Sequence, residues 1–162
     1  MPYPKIEAVR NLLRADGGRL YWLSGRRVGM EAGCRRPDGR VVVRIGGRGG
    51  PLILRSRIVW ALANGRWPEL EIDHIDCNPS NDDPSNLREA TSSEQKRNTR
   101  TRRDNKAGAK GVFFAKTISR WCAQIVIGGR RTHLGVFDSM ELARAAYIRA
   151  NERVAGAFAR NE

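Results

Sequence analysis

Asp73 and His74 are adjacent in the sequence, between Ile72 and Ile75, and this pattern predicts a short strand. Adjacent strand residues point to opposite faces, so one side chain could meet a water molecule and its neighbour a cation. A histidine of ordinary pKa, about 6.5, is largely neutral at cellular pH and can accept a proton from water. A cation held by a carboxylate can stabilise the pentacoordinate phosphate. The pair therefore has the chemistry of phosphodiester hydrolysis, although an isolated Asp-His pair is more often a surface pair than a catalyst.

The charge of the chain is unevenly distributed along its 162 residues, whose formal net charge is +13. Residues 1–65 and 96–131 carry net charges of +9 and +10, whereas residues 66–95 carry −6. A basic excess of this size predicts a polyanionic partner, and nucleic acid is favoured over a membrane because the basic runs are not amphipathic helices. The acidic island, residues 66–95, is explained either by a bound divalent cation or by an ordinary solvated loop, and charge alone does not decide.

Composition excludes several classes of protein. No stretch approaches the roughly 18 apolar residues of a transmembrane helix, and the first residues lack the apolar run of a secretory signal. The three cysteines, Cys34, Cys77 and Cys122, are odd in number and widely spaced, so they fit neither a disulfide framework nor a four-ligand zinc site. We expect a reduced, cytoplasmic protein with cysteines that act as small buried hydrophobic residues.

Short elements are predicted before the acidic island. Apolar residues at helical spacing predict a helix over 4–15, closed by the pair Gly17-Gly18, and a second helix over 56–64, ended by Gly65. Runs of β-forming residues between glycine-rich turns predict strands at 20–23, 40–45 and 52–54.

The acidic island predicts a strand, a loop, a second strand and a helix. Turn-forming residues at 78–85 follow the Asp73-His74 strand, and residues 86–90 can form the second strand. Thr91 and Glu94 have the spacing of a capping box, so a helix should begin there. This helix would present Gln95 and Asn98 on neighbouring positions of one face, and an amide oxygen is a suitable ligand for a hard cation such as Mg²⁺.

The composition changes after the polar, basic segment 101–108, which predicts a linker. Strands are predicted at 111–114, 120–127 and 130–137, and Gly128-Gly129 is a two-residue hairpin signal. Asp138 and Glu141 have capping-box spacing, so a helix should follow and end at Gly156. A sheet packed on one helix can lie in the DNA major groove, where Lys116, Arg120, Gln124 and Arg130 have the reach to contact bases or phosphates.

Residues 73–98 strongly resemble the HNH endonucleases of phages and mobile elements. Their motif has the form DHI-D-x-N, then N-x-x-x-NLR-x-x-T, then x-x-x-N-x-x-N. The corresponding strings here are DHIDCN (73–78), NDDPSNLREAT (81–91) and SSEQKRN (92–98), and VWALANGRWP (59–68) is similar to the segment that precedes the motif. The resemblance extends over about residues 20–100 and implies a ββα-metal fold.

Carried over by position, the resemblance makes His74 the general base, Asp73 a metal ligand and Asn86 the residue that fixes the loop beside the strand of His74. The third motif position, a metal ligand that is Asn or His in the family, falls on Gln95. This departs from the family, since Gln carries the same amide oxygen on a longer stem, and Asn98 is the alternative ligand. The implied cofactor is one divalent metal ion, with Mg²⁺ preferred and Mn²⁺ or Zn²⁺ as alternatives.

The C-terminal segment closely resembles the Apetala-type (ethylene-response-factor) DNA-binding domain. The matching pieces include Gly111-Val112, Arg120-Trp121 and the string HLGVFD at 133–138. In that family the sheet contacts DNA, which by position implicates Arg120, Trp121, Gln124 and Arg130. The predicted DNA-binding residues are therefore Lys110, Lys116, Arg120, Trp121, Gln124, Arg130 and Arg131.

These patterns together predict an α+β protein of two modules. Residues 1–100 would form the HNH nuclease module with an N-terminal helix and strands, residues 101–108 the basic linker, and residues 109–160 a three-stranded antiparallel sheet packed on one helix. The predicted function is that of a metal-dependent DNA endonuclease of homing or nicking type, encoded by a phage or mobile element. The expected partner is double-stranded DNA, and since one ββα site cuts one strand, double-strand cleavage would need a homodimer or a second event.

Two other functions are compatible with the sequence. A catalytically inactive DNA-binding regulator derived from such a nuclease would keep the fold and the basic residues, and Gln95 is the feature that favours it. A protein that binds or cuts RNA would also suit the charge, but the sheet lacks the aromatic stacking pair of an RNA-recognition motif.

Overall fold

The computed structural model describes residues 3–98, 105, 107 and 110–156. The chain forms two compact units, Met1–Ser92 and Ser93–Glu162, built from helices and small antiparallel sheets. Most of the predicted linker, 101–108, lies outside the described residues, so the predicted domain limits stay a prediction. Among the helices of the described ranges, none has the length and apolar character that crossing a membrane requires.

The N-terminal helix is shorter than the sequence pattern predicts. Helix α1 (Ile6–Leu12) is followed at once by a hairpin of strands β1 (Leu13–Asp16) and β2 (Arg19–Trp22). Gly17 and Gly18 form the hairpin turn, with φ of +48° and +80°, instead of closing a helix. Two consecutive residues with positive φ make the turn whose twist matches paired strands, and this overrides the helical spacing of the preceding residues.

Gly18 also packs against the loop that carries part of the acidic island. A Cβ atom built on Gly18 would lie 2.5 Å from the backbone of Asp82 and Asp83, whereas one on Gly17 would meet nothing within 4 Å. Both alanine variants should cost about 1 kcal/mol for positive φ, and Gly18→Ala should cost roughly 1–3 kcal/mol more for overpacking. Urea unfolding of the two variants measures this, and equal losses would show that the contact is not tight.

The rest of the first unit builds its core beneath the site. A short 3-10 helix (Gly25–Arg27) precedes a sheet of order β3-β4-β5, formed by β3 (Cys34–Arg35), β4 (Val41–Arg44) and β5 (Leu52–Leu54). Helix α2 (Arg55–Asn64) follows as predicted and ends at Gly65, whose φ is +71°. The core residues come from α1, β1, β2, β4, β5, α2 and the strand that begins at Leu87, and they include Val9, Leu13, Leu20, Val43, Ile53, Ile58, Val59, Trp60 and Leu87.

The acidic island has the predicted element order. Strand β6 (Glu71–His74) pairs antiparallel with β7 (Leu87–Ala90), and a short 3-10 helix (Pro84–Asn86) lies in the loop between them. Helix α3 (Ser92–Asn98) begins directly after Thr91, where the capping-box spacing predicted a helix start. Nearly all of α3 belongs to the second unit.

The second unit contains a three-stranded antiparallel sheet and one long helix. Strands β8 (Val112–Ala115), β9 (Arg120–Ile127) and β10 (Arg130–Phe137) are arranged in the order β10-β9-β8, and α4 (Met140–Ala155) packs on the sheet. Gly128 and Gly129 turn the β9–β10 hairpin with φ of +55° and +79°, as the sequence predicts. The core residues are Val112, Ala123, Ile125, Ala143 and Tyr147.

Two local predictions were wrong. The N-cap of α4 is Ser139, not Asp138, because the Ser139 hydroxyl accepts the backbone N–H of Leu142 at 3.2 Å. Asp138 instead forms an ion pair with Arg120 at 2.7 Å. All three cysteines are free thiols, but only Cys122 is buried.

Candidate active site

His74, at the end of β6, contacts a buried carboxylate. Its Nε2 lies 2.8 Å from Asp82 Oδ1, and Asp82 is only 3% exposed. An ionised carboxylate can only accept a hydrogen bond, so Nε2 carries the hydrogen in this contact. Nδ1 is then the basic nitrogen of the neutral ring. The contact fixes both the orientation and the tautomer of the histidine.

Arg55, the first residue of α2, holds Asp82 from the other side. Its Nε donates to Asp82 Oδ2 at 2.7 Å, and the same guanidinium donates to Glu31 and to the carbonyl of Ser80. Arg55 is 5% exposed, so the charges of Arg55 and Asp82 are buried together and depend on each other. We call these three residues the Arg55–Asp82–His74 network.

Sequence reasoning did not find Arg55 or Asp82. The acidic island was the only signal for Asp82, and it contains several other carboxylates. Arg55 lies 27 positions from Asp82 along the chain, at the start of a helix. Nothing in its sequence context distinguishes this buried arginine from the arginines that lie on the surface.

Asn86 ties together the two ends of the loop between β6 and β7. Its Nδ2 donates to Asp76 Oδ1 at 3.0 Å and to the carbonyl of Asn81 at 2.8 Å, and its Oδ1 accepts the backbone N–H of Asp76. Its own carbonyl accepts the N–H of Ile75 at 2.9 Å. The loop that carries Asp82 is therefore closed by one side chain, and the functional role of Asn86 stays a prediction.

Asp76 is the acceptor for several donors of this loop. Burial alone would raise the pKa of its carboxyl group, but hydrogen bonds from Asn81, Asn78 and Asn86 and the proximity of His74 lower the pKa on balance. A carboxyl whose pKa is lower in the folded protein stabilises the fold above its unfolded pKa. This contribution is lost as the pH falls through the folded pKa, that is, below the ordinary value of 3.8.

Asp76→Asn should lower the stability of the folded protein at pH 7 by about 1–3 kcal/mol. One oxygen of Asp76 accepts from Asn78 and Asn86 and the other accepts from Asn81, so an amide nitrogen at either position faces a donor. Urea unfolding at pH 7 and near pH 3 should show a difference from wild type that shrinks in acid, because the stabilisation by the ionised carboxyl group decreases as the pH falls below 3.8. Asp16→Asn, at an exposed position, is the control, and a pH-independent loss for Asp76→Asn would contradict the assignment.

Asp73, the predicted metal ligand, pairs with the residue opposite it on β7. Arg88 donates Nε and Nη2 to the same oxygen, Asp73 Oδ2, each at 3.0 Å. A carboxylate has about four acceptor positions on its two oxygens, so the arginine contacts are compatible with a cation on the same group.

The other predicted metal ligands, Gln95 and Asn98, lie on α3. Within residues 3–98, 105, 107 and 110–156, no three side chains of His, Cys, Asp or Glu converge to form a metal site. Asp73, Gln95 and Asn98 all offer side-chain oxygen atoms, the donor type that a hard divalent cation takes. On α3, Gln95 is half-buried and Asn98 is buried, and their assignment as metal ligands stays a prediction.

The predicted DNA-binding residues lie on both faces of the second sheet. Directly paired residues share a face, and Gln124 pairs with His133 and Val126 with Arg131. Arg120, Gln124 and Arg131 therefore lie on one face. Trp121 and Arg130 lie on the opposite face, where Trp121 packs against the core and meets Phe114 edge to face.

A cavity of about 440 Å³ in the second unit brings some of these residues together. Lys110, Gln124 and Arg131 line it with Tyr147 and Asn151 of α4. Lys116 is exposed in the turn between β8 and β9. A positive cavity at this place is compatible with an anionic ligand.

Comparison with known proteins places the site in a family. The sequence model described as HNH endonuclease matches residues 54–97. Protein 3.8 of Escherichia phage T7 is 36% identical over 103 residues, which are 63% of this chain and 84% of that protein. The chain belongs to the family of phage T7 Protein 3.8. The HNH endonuclease domain at residues 54–97 of this chain indicates a nuclease. The predictions of an HNH domain and of a phage relative are confirmed. No solved structure matches the chain.

The HNH domain contains all three residues of the Arg55–Asp82–His74 network. Asp73, Asn86 and Gln95 also lie within the matched residues, and Asn98 lies one residue beyond them. The matched family model ends at residue 97, so the Apetala-type resemblance of the C-terminal segment remains a proposal.

Proposed function

We propose that the HNH domain hydrolyses DNA phosphodiester bonds with His74 as the general base. The observation that carries this proposal is the contact between His74 Nε2 and the buried Asp82. A base must present an unprotonated nitrogen in a fixed direction, and this contact leaves Nδ1 as that nitrogen. In the proposed reaction Nδ1 accepts a proton from the attacking water.

Asp82 would act on the histidine in two ways. Before the reaction it holds the ring and the hydrogen on Nε2. After proton transfer it faces an imidazolium, whose positive charge a buried carboxylate stabilises. Arg55 holds Asp82 in place through a buried ion pair, and removal of either partner would leave one buried charge unpaired.

Asp73, together with Gln95 or Asn98, would hold the divalent cation. The cation, when bound, supplies positive charge to the phosphate and the leaving oxygen. Arg88 fixes the Asp73 carboxylate through two hydrogen bonds. Asn86 and Asp76 keep the intervening loop closed, so that Asp82 stays against His74.

Incubation of supercoiled plasmid with the full chain tests this function. Mg²⁺ should support nicking, Mn²⁺ and Zn²⁺ are the alternative metals, and EDTA should stop the reaction. Open-circular product before any linear product indicates a nicking enzyme, whereas direct linear product indicates a dimer that cuts both strands. If none of the metals supports cutting, the inactive DNA-binding regulator, which the departure at Gln95 favours, becomes the better account.

The Gln95 variants should identify the second ligand. If Gln95 binds the cation, Gln95→Ala should nick more slowly and need more Mg²⁺ for half-maximal rate, because water replaces the ligand. Gln95→Asn should keep or raise the rate, since Mg²⁺ tolerates little distortion from octahedral geometry. Metal titrations of these variants and of Asn98→Ala decide between the residues, and an effect confined to Asn98→Ala would assign the ligand to Asn98.

For the second unit we propose a role in DNA binding, supported by its basic residues and by the Apetala-type resemblance. Arg120, Gln124 and Arg131 share one face of the sheet and have the side-chain types that contact guanine and adenine edges or phosphates. Lys110 and Lys116 would add phosphate contacts. Trp121 and Arg130 would contribute from the opposite face or from the end of the hairpin.

A further inference from the structure

A second basic cavity lies in the first unit, outside the HNH domain. Its volume is about 560 Å³, and four arginines line it: Arg26, Arg27, Arg44 and Arg48. Arg26 and Arg27 belong to the short 3-10 helix after β2, whereas Arg44 ends β4 and Arg48 lies in the glycine-rich turn that follows. Two segments that are separate in the sequence, 26–27 and 44–48, therefore bring positive charge to one concave surface.

The positive charge of this arginine cavity is not neutralised within the part of the chain that the structure describes. None of the four arginines forms an ion pair there, and no carboxylate lines the cavity. Most other arginines of the first unit behave differently, since Arg14, Arg19, Arg36, Arg55, Arg66 and Arg88 each pair with an acidic side chain. Four exposed guanidinium groups without counter-charges repel one another unless an anion joins them.

The walls of the arginine cavity leave room for a polymer backbone. Gly46 and Gly47 form part of the lining, both have positive φ, and a Cβ on either would meet nothing within 4 Å. The turn is held in place by Arg44, whose Nη1 donates to the carbonyl of Gly50 at 2.8 Å. Arg44 and Arg48 thus flank open space at a turn that this hydrogen bond holds in place.

We infer that the arginine cavity binds a backbone phosphate of duplex DNA. The guanidinium group has a planar set of donors that matches phosphate oxygens, and it remains charged at any physiological pH. That the polyanion is DNA rests on the proposed function. It gives the first unit a DNA-binding surface that depends neither on the sheet of the second unit nor on the cation at Asp73.

The test measures DNA affinity without cleavage. The full chain is titrated into a fluorescently labelled DNA duplex in EDTA, at several salt concentrations, and anisotropy gives the dissociation constant. The variant Arg26→Gln/Arg48→Gln should bind roughly tenfold more weakly, and the slope of log K against log salt should become shallower by about one for each phosphate that the variant no longer binds. The variant Arg26→Lys/Arg48→Lys keeps the charges and should retain most of the affinity.

Arg10→Gln/Arg40→Gln is the matched control, because it removes two exposed positive charges of the first unit that do not line the cavity. A similar loss of affinity in this control would mean that net charge, and not the cavity, determines binding, and the inference would be wrong. Unchanged affinity and salt dependence in Arg26→Gln/Arg48→Gln would also overturn it, as would an equal loss in the lysine variant. Thermal unfolding confirms that all variants are folded.

The binding assay is independent of the nuclease proposal. If the wild-type chain binds DNA but cuts no plasmid with any metal, the catalytic proposal fails while the arginine cavity is still tested. If the cavity variants bind normally and the chain still nicks, only the cavity inference fails.

Discussion

The His74→Ala variant should nick supercoiled plasmid about 10²–10⁴ times more slowly than the wild-type chain, the usual range for loss of a general base. The methyl group of alanine cannot accept the proton of the attacking water. Affinity for DNA in EDTA should stay nearly unchanged, because the histidine acts on the water and not on the DNA backbone. Single-turnover nicking in saturating Mg²⁺ measures the rate, and anisotropy in EDTA measures the affinity.

His133→Ala is the matched control, since His133 is the second of the two histidines and lies exposed on β10. At saturating DNA it should nick at the wild-type rate. If His74→Ala also cut at the wild-type rate, the base would have to be another residue. If the loss were accompanied by an equal loss of DNA affinity, His74 would bind the substrate and not activate the water.

The sequence predicts those parts of the fold that local chemistry determines. Helix α2 ends at Gly65, the β9–β10 hairpin turns at Gly128-Gly129, and α3 begins after Thr91, because each boundary depends on residues within one turn of it. Gly17-Gly18 was misinterpreted because a glycine pair can end a helix or turn a hairpin. In the folded protein the hairpin places Leu13 and Leu20 in the core, a tertiary contact that the local pattern does not contain.

The candidate site was predicted in part. Asp73 and His74 were predicted as site residues because they are adjacent and fall in a motif, whereas the contacts of His74 with Asp82 and of Asp82 with Arg55 were not predicted. The ion pair between Arg55 and Asp82 joins α2 to a loop 27 positions later in the sequence. The periodicity of apolar residues gives no information about a pair of charged residues so far apart. The sheet faces illustrate the same limit: the pairing register places Arg131, and not Arg130, on the face of Arg120 and Gln124.

Asp82→Asn should lower the nicking rate roughly 10²-fold or more, because loss of the carboxylate removes both the tautomer control and the partner of the imidazolium. The amide also leaves the buried guanidinium of Arg55 without its counter-charge, so the variant should be destabilised by about 3–5 kcal/mol. Rates must therefore be measured at a temperature where urea and thermal unfolding show the variant to be folded. Arg55→Gln provides a comparison, since it breaks the same ion pair but leaves the contact between Asp82 and His74.

A double-mutant cycle separates a role through His74 from a role in folding. If Asp82 acts by orienting and charging His74, then Asp82→Asn should cost almost nothing when His74 is already alanine, because the group it serves is absent. A purely structural effect on the loop would lower the residual activity of His74→Ala by the same factor as in the wild type. In that case Asp82 would be a support for the loop between β6 and β7, and the tautomer of His74 would have to be set by another contact. Strong non-additivity, with Arg55→Gln retaining more activity than Asp82→Asn at similar stability, would instead assign Asp82 as the positioning residue of the base.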